Sequence, residues 1–212
     1  MCIKITIIIF IVVVIINFIR RGSDIMKIAL DFGHGGKDPG AVDGKGDDTV
    51  YPDKYYTEES NLVRHIGLKL AYKLDEIYEV YLTRPNEEYV SLEDRCVLSN
   101  EEDVDIFLSL HANASANKNA NGIEVLYYPD SKNGIKLSSK IQDRLIKATR
   151  ATDRGIKPRD DIFVLEETVM PSVLIELGFI TNPQEEKQLW NKSYQNNLIN
   201  AIFEGVKEYE RI

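Results

Sequence analysis

Two of the three histidines in this chain directly follow short apolar segments that are typical of buried strands. These are His34 and His111, and a third apolar segment, 172–175, ends in the carboxylate of Glu176. Because the carboxyl ends of parallel strands gather at one edge of a sheet, we expect these three side chains to lie close together. Two imidazoles and a carboxylate at one edge are the functional groups of a zinc hydrolase.

The loop that contains His34 is dense in glycine. Its sequence over residues 33–41 is Gly-His-Gly-Gly-Lys-Asp-Pro-Gly-Ala. Glycines let the backbone adopt positive φ angles and approach a ligand closely, which favours a ligand role for His34 over a simple turn. His111 opens the turn His-Ala-Asn-Ala-Ser, where the alternative is a hydrogen-bonded histidine at a strand end. Two such histidines at one sheet edge indicate a shared function.

A third metal ligand is expected on the helix that follows this loop, since a catalytic zinc ion usually takes three protein ligands and a water. The helix begins with Glu58 and Glu59, and at about 3.6 residues per turn Glu59 lies on the apolar, core-facing stripe. That position favours Glu59 as the ligand and leaves Glu58 as the alternative; both could instead stabilise the helix N-terminus. His65, on the flank of this helix, is predicted to be solvent-exposed. The apolar stripe consists of Val63, Ile66, Leu70 and Leu74.

Glu176 is the candidate catalytic residue. It ends the apolar sequence Val-Leu-Ile and is followed by Leu-Gly-Phe, so its carboxylate is expected to be at least partly buried. Burial raises the pKa of a carboxyl group, which suits a general base or acid acting on a water at a metal ion. The alternative role is a hydrogen-bond partner of a ligand histidine.

The elements that must position these groups alternate between strands and helices, with Thr57 and Ser91 as predicted helix N-caps. This alternation predicts a single α/β domain with a mostly parallel, twisted sheet and helices on both faces. Two loops, 42–56 and 112–121, are expected to flank the site. The predicted strands are 27–32, 79–83, 105–110, 122–128, 162–165 and 172–177, and the predicted helices are 58–77, 91–100, 134–150, 183–190 and 193–210.

The first 25 residues differ in composition from the rest of the chain. Residues 5–19 are almost wholly Ile, Val and Phe, with basic residues on both sides. The segment is slightly short for a membrane span, which typically needs about 17–25 residues, and it lacks the small residues of a signal cleavage site. We predict an apolar N-terminal helix within 1–25 that anchors a catalytic domain, 26–212, in a membrane. A cleaved signal, a buried strand and a start at Met26 are the alternatives.

The charge of the chain argues against nucleic acid as a partner. The chain carries 34 acidic and 26 basic residues, a formal net charge of −8. Residues 1–25 contribute a net +2, so the predicted catalytic domain carries −10. Nucleic-acid-binding proteins are usually basic. The two cysteines, Cys2 and Cys96, form no disulfide framework and no metal motif, because one precedes the anchor and the other lies in a predicted helix.

Taken together, these motifs resemble those of zinc-dependent N-acetylmuramoyl-L-alanine amidases of the amidase 3 family. The resemblance covers about residues 27–210. Phe32 stands where the family usually has proline, and the segment around Glu58 and Glu59 lacks a clean match to the family's spacing. The matching stretches are DFGHGGKDPGA at 31–41, YLTR at 81–84, IFLSLHANA at 106–114, GIEV at 122–125, DRGIK at 153–157 and PSVLIELGFITN at 171–182.

The resemblance implies a zinc ion held by His34, His111 and Glu59, with Glu58 as the alternative third ligand, and a catalytic Glu176. It implies hydrolysis of the amide between N-acetylmuramic acid and L-alanine in peptidoglycan, on the extracytoplasmic side of the membrane. A short, anchored chain without wall-binding repeats is similar to spore-cortex amidases, although turnover of the vegetative wall is also open. An activating protein partner would leave no mark on the sequence.

Two other functional classes are weighed against this prediction. One is another zinc peptidoglycan hydrolase, a carboxypeptidase or a deacetylase, and the other is a non-catalytic wall-binding regulator. The ordered blocks around His34 and Glu176 favour the amidase over the other hydrolases. The presence of His34, His111 and Glu176 argues against a protein that has lost its catalytic groups.

Overall fold

A computed structural model describes residues 25–42 and 57–211, and within them six strands form one sheet. The order of strands across the sheet is β2-β1-β3-β6-β4-β5. The strands are β1 (Lys27–Phe32), β2 (Glu79–Leu82), β3 (Ile106–Asn113), β4 (Ile123–Tyr127), β5 (Asp153–Pro158) and β6 (Ser172–Phe179). The helices are α1 (Glu59–Leu74), α2 (Leu92–Glu101), α3 (Lys132–Thr149), α4 (Phe163–Glu166), α5 (Pro183–Leu189) and α6 (Lys192–Glu210).

Four of the strands run in the same direction. β2, β1, β3 and β6 pair in parallel, while β4 pairs antiparallel with β6 and parallel with β5. The carboxyl ends of β1, β3 and β6 therefore meet at one edge, and β4 and β5 bring their amino ends to that same edge. The prediction of a mostly parallel sheet in a single α/β domain is confirmed.

Helices cover both faces of the sheet, and the alternation of side chains along the strands explains why. In β1, Ile28, Leu30 and Phe32 point to the core shared with α1, α3 and α6. Ala29 points to the other face, where it packs with Phe107 of β3 and with residues of α2 and α4. Burying alternate residues against opposite helix layers is what a strand in the middle of such a sheet requires.

Helix starts agree with the predicted caps except at α1. The Ser91 side chain accepts a hydrogen bond from the backbone N–H of Asp94, which confirms Ser91 as an N-cap. At α1 the N-cap residue is Glu58 and no side chain caps the helix, so the prediction of Thr57 was wrong. The Thr57 hydroxyl instead donates to Glu186 and accepts from the Trp190 indole. Thr57 thereby connects the entry of α1 to helix α5 and the residue after it.

Three element predictions need correction. Residues 162–165 were predicted as a strand, but Phe163–Glu166 is a single helical turn, because four apolar residues in a row fit either structure. β5 was not predicted, since its sequence, Asp-Arg-Gly-Ile-Lys-Pro, is mostly polar. β3 extends through Asn113, two residues into the predicted loop 112–121.

The predicted N-terminal anchor, 5–19, and most of the predicted loop 42–56 lie outside the described residues. Within the part of the chain that is described, no helix combines the length and the apolar character needed to cross a bilayer.

A close contact between α3 and α6 gives a prediction about stability. A Cβ atom at Gly205 would lie 2.8 Å from the Ile141 Cα atom and 3.1 Å from its backbone nitrogen. Gly205→Ala should therefore lower the free energy of unfolding by about 1–3 kcal/mol through overpacking, although alanine has the higher helix propensity. Urea denaturation measures the change. Asn200→Ala, at an exposed position of the same helix, is the control and should be neutral or slightly stabilising; equal behaviour of the two variants would contradict the close packing.

Candidate active site

His34 lies in a strained loop directly after β1. Its φ angle is 63°, in the left-handed region that few non-glycine residues adopt, and Gly36 and Gly40 also have positive φ. A Cβ atom at Gly40 would lie 2.5 Å from the His34 ring, so only glycine fits there. The loop turns sharply enough to bring the imidazole back over the sheet edge. Backbone strain of this kind persists where the surrounding structure fixes the geometry, and it is common at functional sites.

Both nitrogens of the His34 ring face a carboxylate. Nδ1 lies 2.9 Å from Asp38 Oδ2, and Nε2 lies 3.1 Å from Glu59 Oε2. Asp38 also accepts a hydrogen bond from the backbone N–H of Gly40 at 3.0 Å, which fixes its own position. A histidine that presents one nitrogen to a site while a carboxylate holds the other is the usual arrangement of a metal-ligating imidazole.

Glu59, the first residue of α1, lies between the two histidines. Its Oε1 atom lies 2.8 Å from His111 Nδ1 and accepts from the Ala112 backbone N–H at 3.0 Å. Its Oε2 atom faces His34 and accepts from the Ala41 backbone N–H at 2.9 Å. Glu59 is 4 % exposed. A carboxylate this deeply buried requires hydrogen-bond donors or a cation, and the site supplies four N–H or ring-nitrogen contacts.

Glu58, the other candidate from the sequence, points elsewhere. Its carboxylate accepts a hydrogen bond from the Asn61 side chain at 2.9 Å, on the outer side of the helix. The structure therefore brings Glu59, and not Glu58, to the two imidazoles. His65 is exposed as predicted and contacts Lys69 and Trp190.

The ligand atoms of His34, Glu59 and His111 converge on one point. One atom from each residue lies within 4.8 Å of the others, and the two imidazole rings meet edge to face with centroids 5.0 Å apart. Two neutral nitrogens and one carboxylate oxygen are the donor set of a catalytic zinc site. The residues present therefore fit a divalent cation.

The pKa values of these three groups favour a negative charge on Glu59 and positive charge on the imidazoles. Burial favours the neutral form of each group, but the hydrogen bonds to its partners and their charges shift the pKa further in the opposite direction. Glu59 and Asp38 raise the pKa of His34 to about 9, and Glu59 raises that of His111. The two imidazoles in turn hold the pKa of Glu59 well below its ordinary value. Without an ion, protons on the imidazoles balance the buried carboxylate. A divalent cation would replace those protons.

Glu176 lies beside this cluster on the neighbouring strand. In the parallel pairing of β3 with β6 it is the register partner of His111, so the two side chains share one face of the sheet. Its Oε2 atom is buried and hydrogen-bonds to none of the described residues. Burial chiefly raises the pKa of Glu176, to about 7; Glu59 and Glu124 add to the rise and His111 opposes it. A carboxyl group with this pKa exchanges protons readily near neutral pH.

A buried ion pair between Arg95 and Asp31 holds the loop that contains His34 in place. The Arg95 guanidinium donates to Asp31 Oδ1 at 2.5 Å, to the Phe32 carbonyl at 2.7 Å and to the His34 carbonyl at 2.6 Å. Burial raises the pKa of Asp31, but the charge of Arg95 and three hydrogen bonds, including one from Ser109, lower it overall. Arg95 thus ties the backbone at Phe32 and His34 to α2. Ser109 ties Asp31 to β3.

A second buried arginine ties the loop to α1. Arg84 donates to the carbonyls of Phe32, Gly33 and Ser60 at 3.1–3.2 Å. Because Ser60 follows Glu59, this one side chain holds the histidine loop and the start of α1 at a fixed separation. Side chains of arginine suit this role because their five donors lie in one rigid plane.

The two histidines open into a cleft of about 410 Å³ on the face of the sheet that carries α2 and α4. Its outer wall is largely apolar, with Tyr89 and Leu92 partly exposed at the rim. The cleft is lined by Asp31, Gly33, His34, Asp38, Tyr89, Val90, Leu92, Arg95, His111, Asp161, Ile162, Phe163, Val164 and Leu174. A mostly apolar cleft with a few convergent polar groups is typical of a small-ligand or catalytic site.

The four residues predicted from the sequence, His34, Glu59, His111 and Glu176, therefore lie together at one sheet edge. Sequence reasoning missed the groups that hold them. The role of Asp38 could have been inferred from the sequence, since an acid four residues after a loop histidine can reach its ring. The roles of Arg84 and Arg95 could not, because no sequence pattern marks an arginine as buried.

The chain matches a known protein family over most of its length. Residues 28–208 match the family model described as N-acetylmuramoyl-L-alanine amidase. The chain is 33 % identical over 189 residues to the probable cell wall amidase LytH of Staphylococcus epidermidis, covering 86 % of this chain. It spans 57 % of the length of that relative.

Two solved structures are similar over nearly their whole length. The N-acetylmuramoyl-L-alanine amidase from Clostridium difficile 630 superimposes with a TM-score of 0.80 at 34 % identity, covering 89 % of this chain and 98 % of that one. The CwlD amidase from Clostridioides difficile, solved in complex with the GerS lipoprotein, gives a TM-score of 0.80 at 30 % identity, covering 88 % and 98 %.

The buried ion pair below the loop can be tested by substitution. Arg95→Met should lower the free energy of unfolding by about 3–5 kcal/mol, because it leaves the Asp31 carboxylate buried without its counter-charge. Denaturant unfolding measures this loss. Arg159→Met is the matched control: it removes an exposed pair with Asp161 and should change stability little. An equally small effect of both substitutions would refute the structural role of Arg95.

Proposed function

This chain belongs to the N-acetylmuramoyl-L-alanine amidase family, and from that premise we propose that it hydrolyses the amide between N-acetylmuramic acid and L-alanine of peptidoglycan with a zinc ion. The observation that carries the proposal is the convergence of His34, Glu59 and His111 beside Glu176, whose buried Oε2 atom has no partner among the described residues. Family membership supports the substrate, and the donor set supports the metal.

We assign the metal to His34 Nε2, His111 Nδ1 and Glu59. The chemistry that zinc supplies in such a site is polarisation of a carbonyl and a lowered pKa for the attacking water. Asp38 orients the His34 ring from behind, and the backbone N–H groups of Ala41 and Ala112 orient Glu59. Hydrogen bonds of this kind, from residues that do not bind the metal, keep the metal-binding side chains in a fixed orientation while the substrate enters.

We assign proton transfer to Glu176. As a carboxylate it accepts the proton of the water that attacks the amide carbonyl, and it then delivers that proton to the nitrogen of the leaving L-alanine. The C–N bond breaks, and the products are a muramic carboxylate and a free peptide amine. The buried environment of Glu176 suits this shuttle because it brings the pKa of the carboxyl group near neutrality.

The cellular setting is also a proposal. The apolar segment 5–19 supports a membrane anchor, or a secreted form if that segment is cleaved, and a peptidoglycan substrate supports a domain on the outer side of the membrane. Similarity to CwlD and resemblance to spore-cortex amidases support a role in the cortex, and similarity to LytH supports wall turnover. The lipoprotein in the CwlD structure supports a protein partner for this chain as well.

The ligand assignment predicts the metal content of two neighbouring variants. Glu59→Gln should reduce bound zinc from about one ion per chain to a small fraction, because the buried anion between the imidazoles is lost. Glu58→Gln should retain zinc, since that side chain faces Asn61. Elemental analysis of protein dialysed against trace zinc measures both, with thermal unfolding to confirm that each variant is folded. Full zinc occupancy in Glu59→Gln would exclude Glu59 as a ligand.

The assigned role of Glu176 predicts loss of activity without loss of metal. Glu176→Gln keeps the shape of the side chain but cannot accept a proton, so hydrolysis should fall by about 100-fold to 10,000-fold while zinc content is unchanged. Digestion of purified peptidoglycan followed by mass spectrometry of the new termini measures activity. Zinc loss in this variant would place Glu176 among the ligands instead.

The same digest separates the competing functions. Free L-alanine amines on released peptides support the amidase. Trimmed terminal alanines would indicate a carboxypeptidase, and lost acetyl groups would indicate a deacetylase. Unchanged peptidoglycan with zinc-loaded protein would favour the non-catalytic regulator.

A further inference from the structure

The sheet edge continues beyond the catalytic cluster. Glu124 of β4 is the register partner of Glu176, so its side chain lies on the same face, one strand further from His111. The strand after β4 is β5, which carries Arg154 and Lys157. Across this edge the groups therefore run from the metal-binding cluster, through Glu176 and Glu124, to two cations.

The two cations share one buried carboxylate. Glu124, 6 % exposed, accepts from Lys157 Nζ at 2.5 Å, from Arg154 Nε at 2.7 Å and from the Asn113 side chain at 3.1 Å. One acid against two bases leaves a net charge of +1. The chain as a whole has a net charge of −8, so this positively charged group beside the site is opposite in sign to the protein as a whole.

Both cations keep donors that no described residue uses. Arg154 uses Nε for Glu124, stacks on the Phe179 ring at 4.8 Å, and its Nη2 group has no partner among the residues described. Lys157 Nζ, with three hydrogens, bonds only to Glu124 in that part of the chain. The side chains are 32 % and 39 % exposed. A guanidinium edge and an ammonium fixed side by side are well suited to bind a carboxylate.

The spacing indicates which part of the substrate would reach them. Neighbouring strands lie about 4.8 Å apart, so β5 is about 10 Å from β6. The charged ends of Arg154 and Lys157 reach back from β5 to Glu124 on β4, which places them roughly 5–10 Å from Glu176. An extended peptide advances about 3.3–3.6 Å per residue, so the second and third residues after the scissile amide span this distance. The N-acetylated sugars on the other side of that amide are uncharged, whereas a peptide carries carboxylates.

From these observations we infer that Arg154 and Lys157 form a carboxylate-binding subsite for the peptide half of the substrate, two to three residues from the cleaved bond. This inference rests on the proposed function for the identity of the substrate. Glu124 is then a positioning residue: it fixes both cations and lowers their net charge to that of a single one, so that a singly charged carboxylate neutralises the group.

Lys157→Gln is the test variant, because Arg154 remains to pair with the buried Glu124. Two substrates are compared, N-acetylmuramoyl-L-Ala-Glu-Ala and its uncharged counterpart N-acetylmuramoyl-L-Ala-Gln-Ala-amide. The wild-type protein should prefer the acidic substrate in kcat/KM. The variant should lose about 10-fold to 100-fold on that substrate and little on the amide, because one charge-assisted contact is removed.

Two control variants separate recognition from structure. Lys157→Arg should restore the preference, since it restores the charge. Lys207→Gln removes a lysine that pairs with Glu204 on α6, away from the site, and should leave both rates unchanged. An equal fall on both substrates in Lys157→Gln would show that the lysine only neutralises Glu124 and would overturn the subsite.

A binding measurement distinguishes failure of this inference from failure of the proposed function. Calorimetry of the zinc-loaded protein with the peptides L-Ala-Glu-Ala and L-Ala-Gln-Ala-amide does not depend on turnover. Preferential binding of the acidic peptide that disappears in Lys157→Gln supports the subsite even if no amide is cleaved. Cleavage of muramoyl peptides with no preference for the acidic peptide would leave the amidase in place and refute the subsite.

Discussion

The buried carboxylate of Glu59 sets the main constraint on this structure. It lies at the start of a helix and between two imidazoles, 4 % exposed, where an uncompensated negative charge would be strongly destabilising. Its position requires His34 and His111 to stay within hydrogen-bond distance, with protons or a cation between them. The rest of the site follows from this demand: the left-handed backbone at His34, the glycine at position 40 and the two buried arginines all hold one imidazole over one carboxylate.

Two carboxylates of this site, Glu59 at the start of α1 and Glu176 on β6, are given opposite properties by their surroundings. Glu59 meets two imidazoles and two backbone N–H groups, and its pKa is held low. Glu176 is partly buried, with one buried oxygen that has no partner among the described residues, and its pKa rises to about 7. The first therefore stays an anion and can bind a metal ion, while the second can take up and release a proton. This division of labour depends on hydrogen bonds rather than on residue type.

The sequence predicted most of this site because its signals were local. Strand-like runs before His34, His111 and Glu176 placed each residue at a carboxyl end, and helical periodicity favoured Glu59 over Glu58. The errors lie in segments where neither a strand-like apolar run nor helical periodicity identifies the element. The polar β5 was missed because it is an edge strand with one partner, and 162–165 was assigned as a strand because four apolar residues carry no period. The buried roles of Arg84 and Arg95 depend on long-range contacts that no local pattern encodes.

The reversal of direction between β6 and β4 explains why the charged residues beyond Glu176 are where they are. A fifth parallel strand would have brought its carboxyl end to the site edge. Because β4 runs the other way, its second residue, Glu124, lies there instead, and β5 follows with its second residue, Arg154. Lys157 lies further along β5 and reaches back to the same carboxylate. The parallel half of the sheet therefore carries the groups proposed to be catalytic, and the reversed half carries the charged residues beside them.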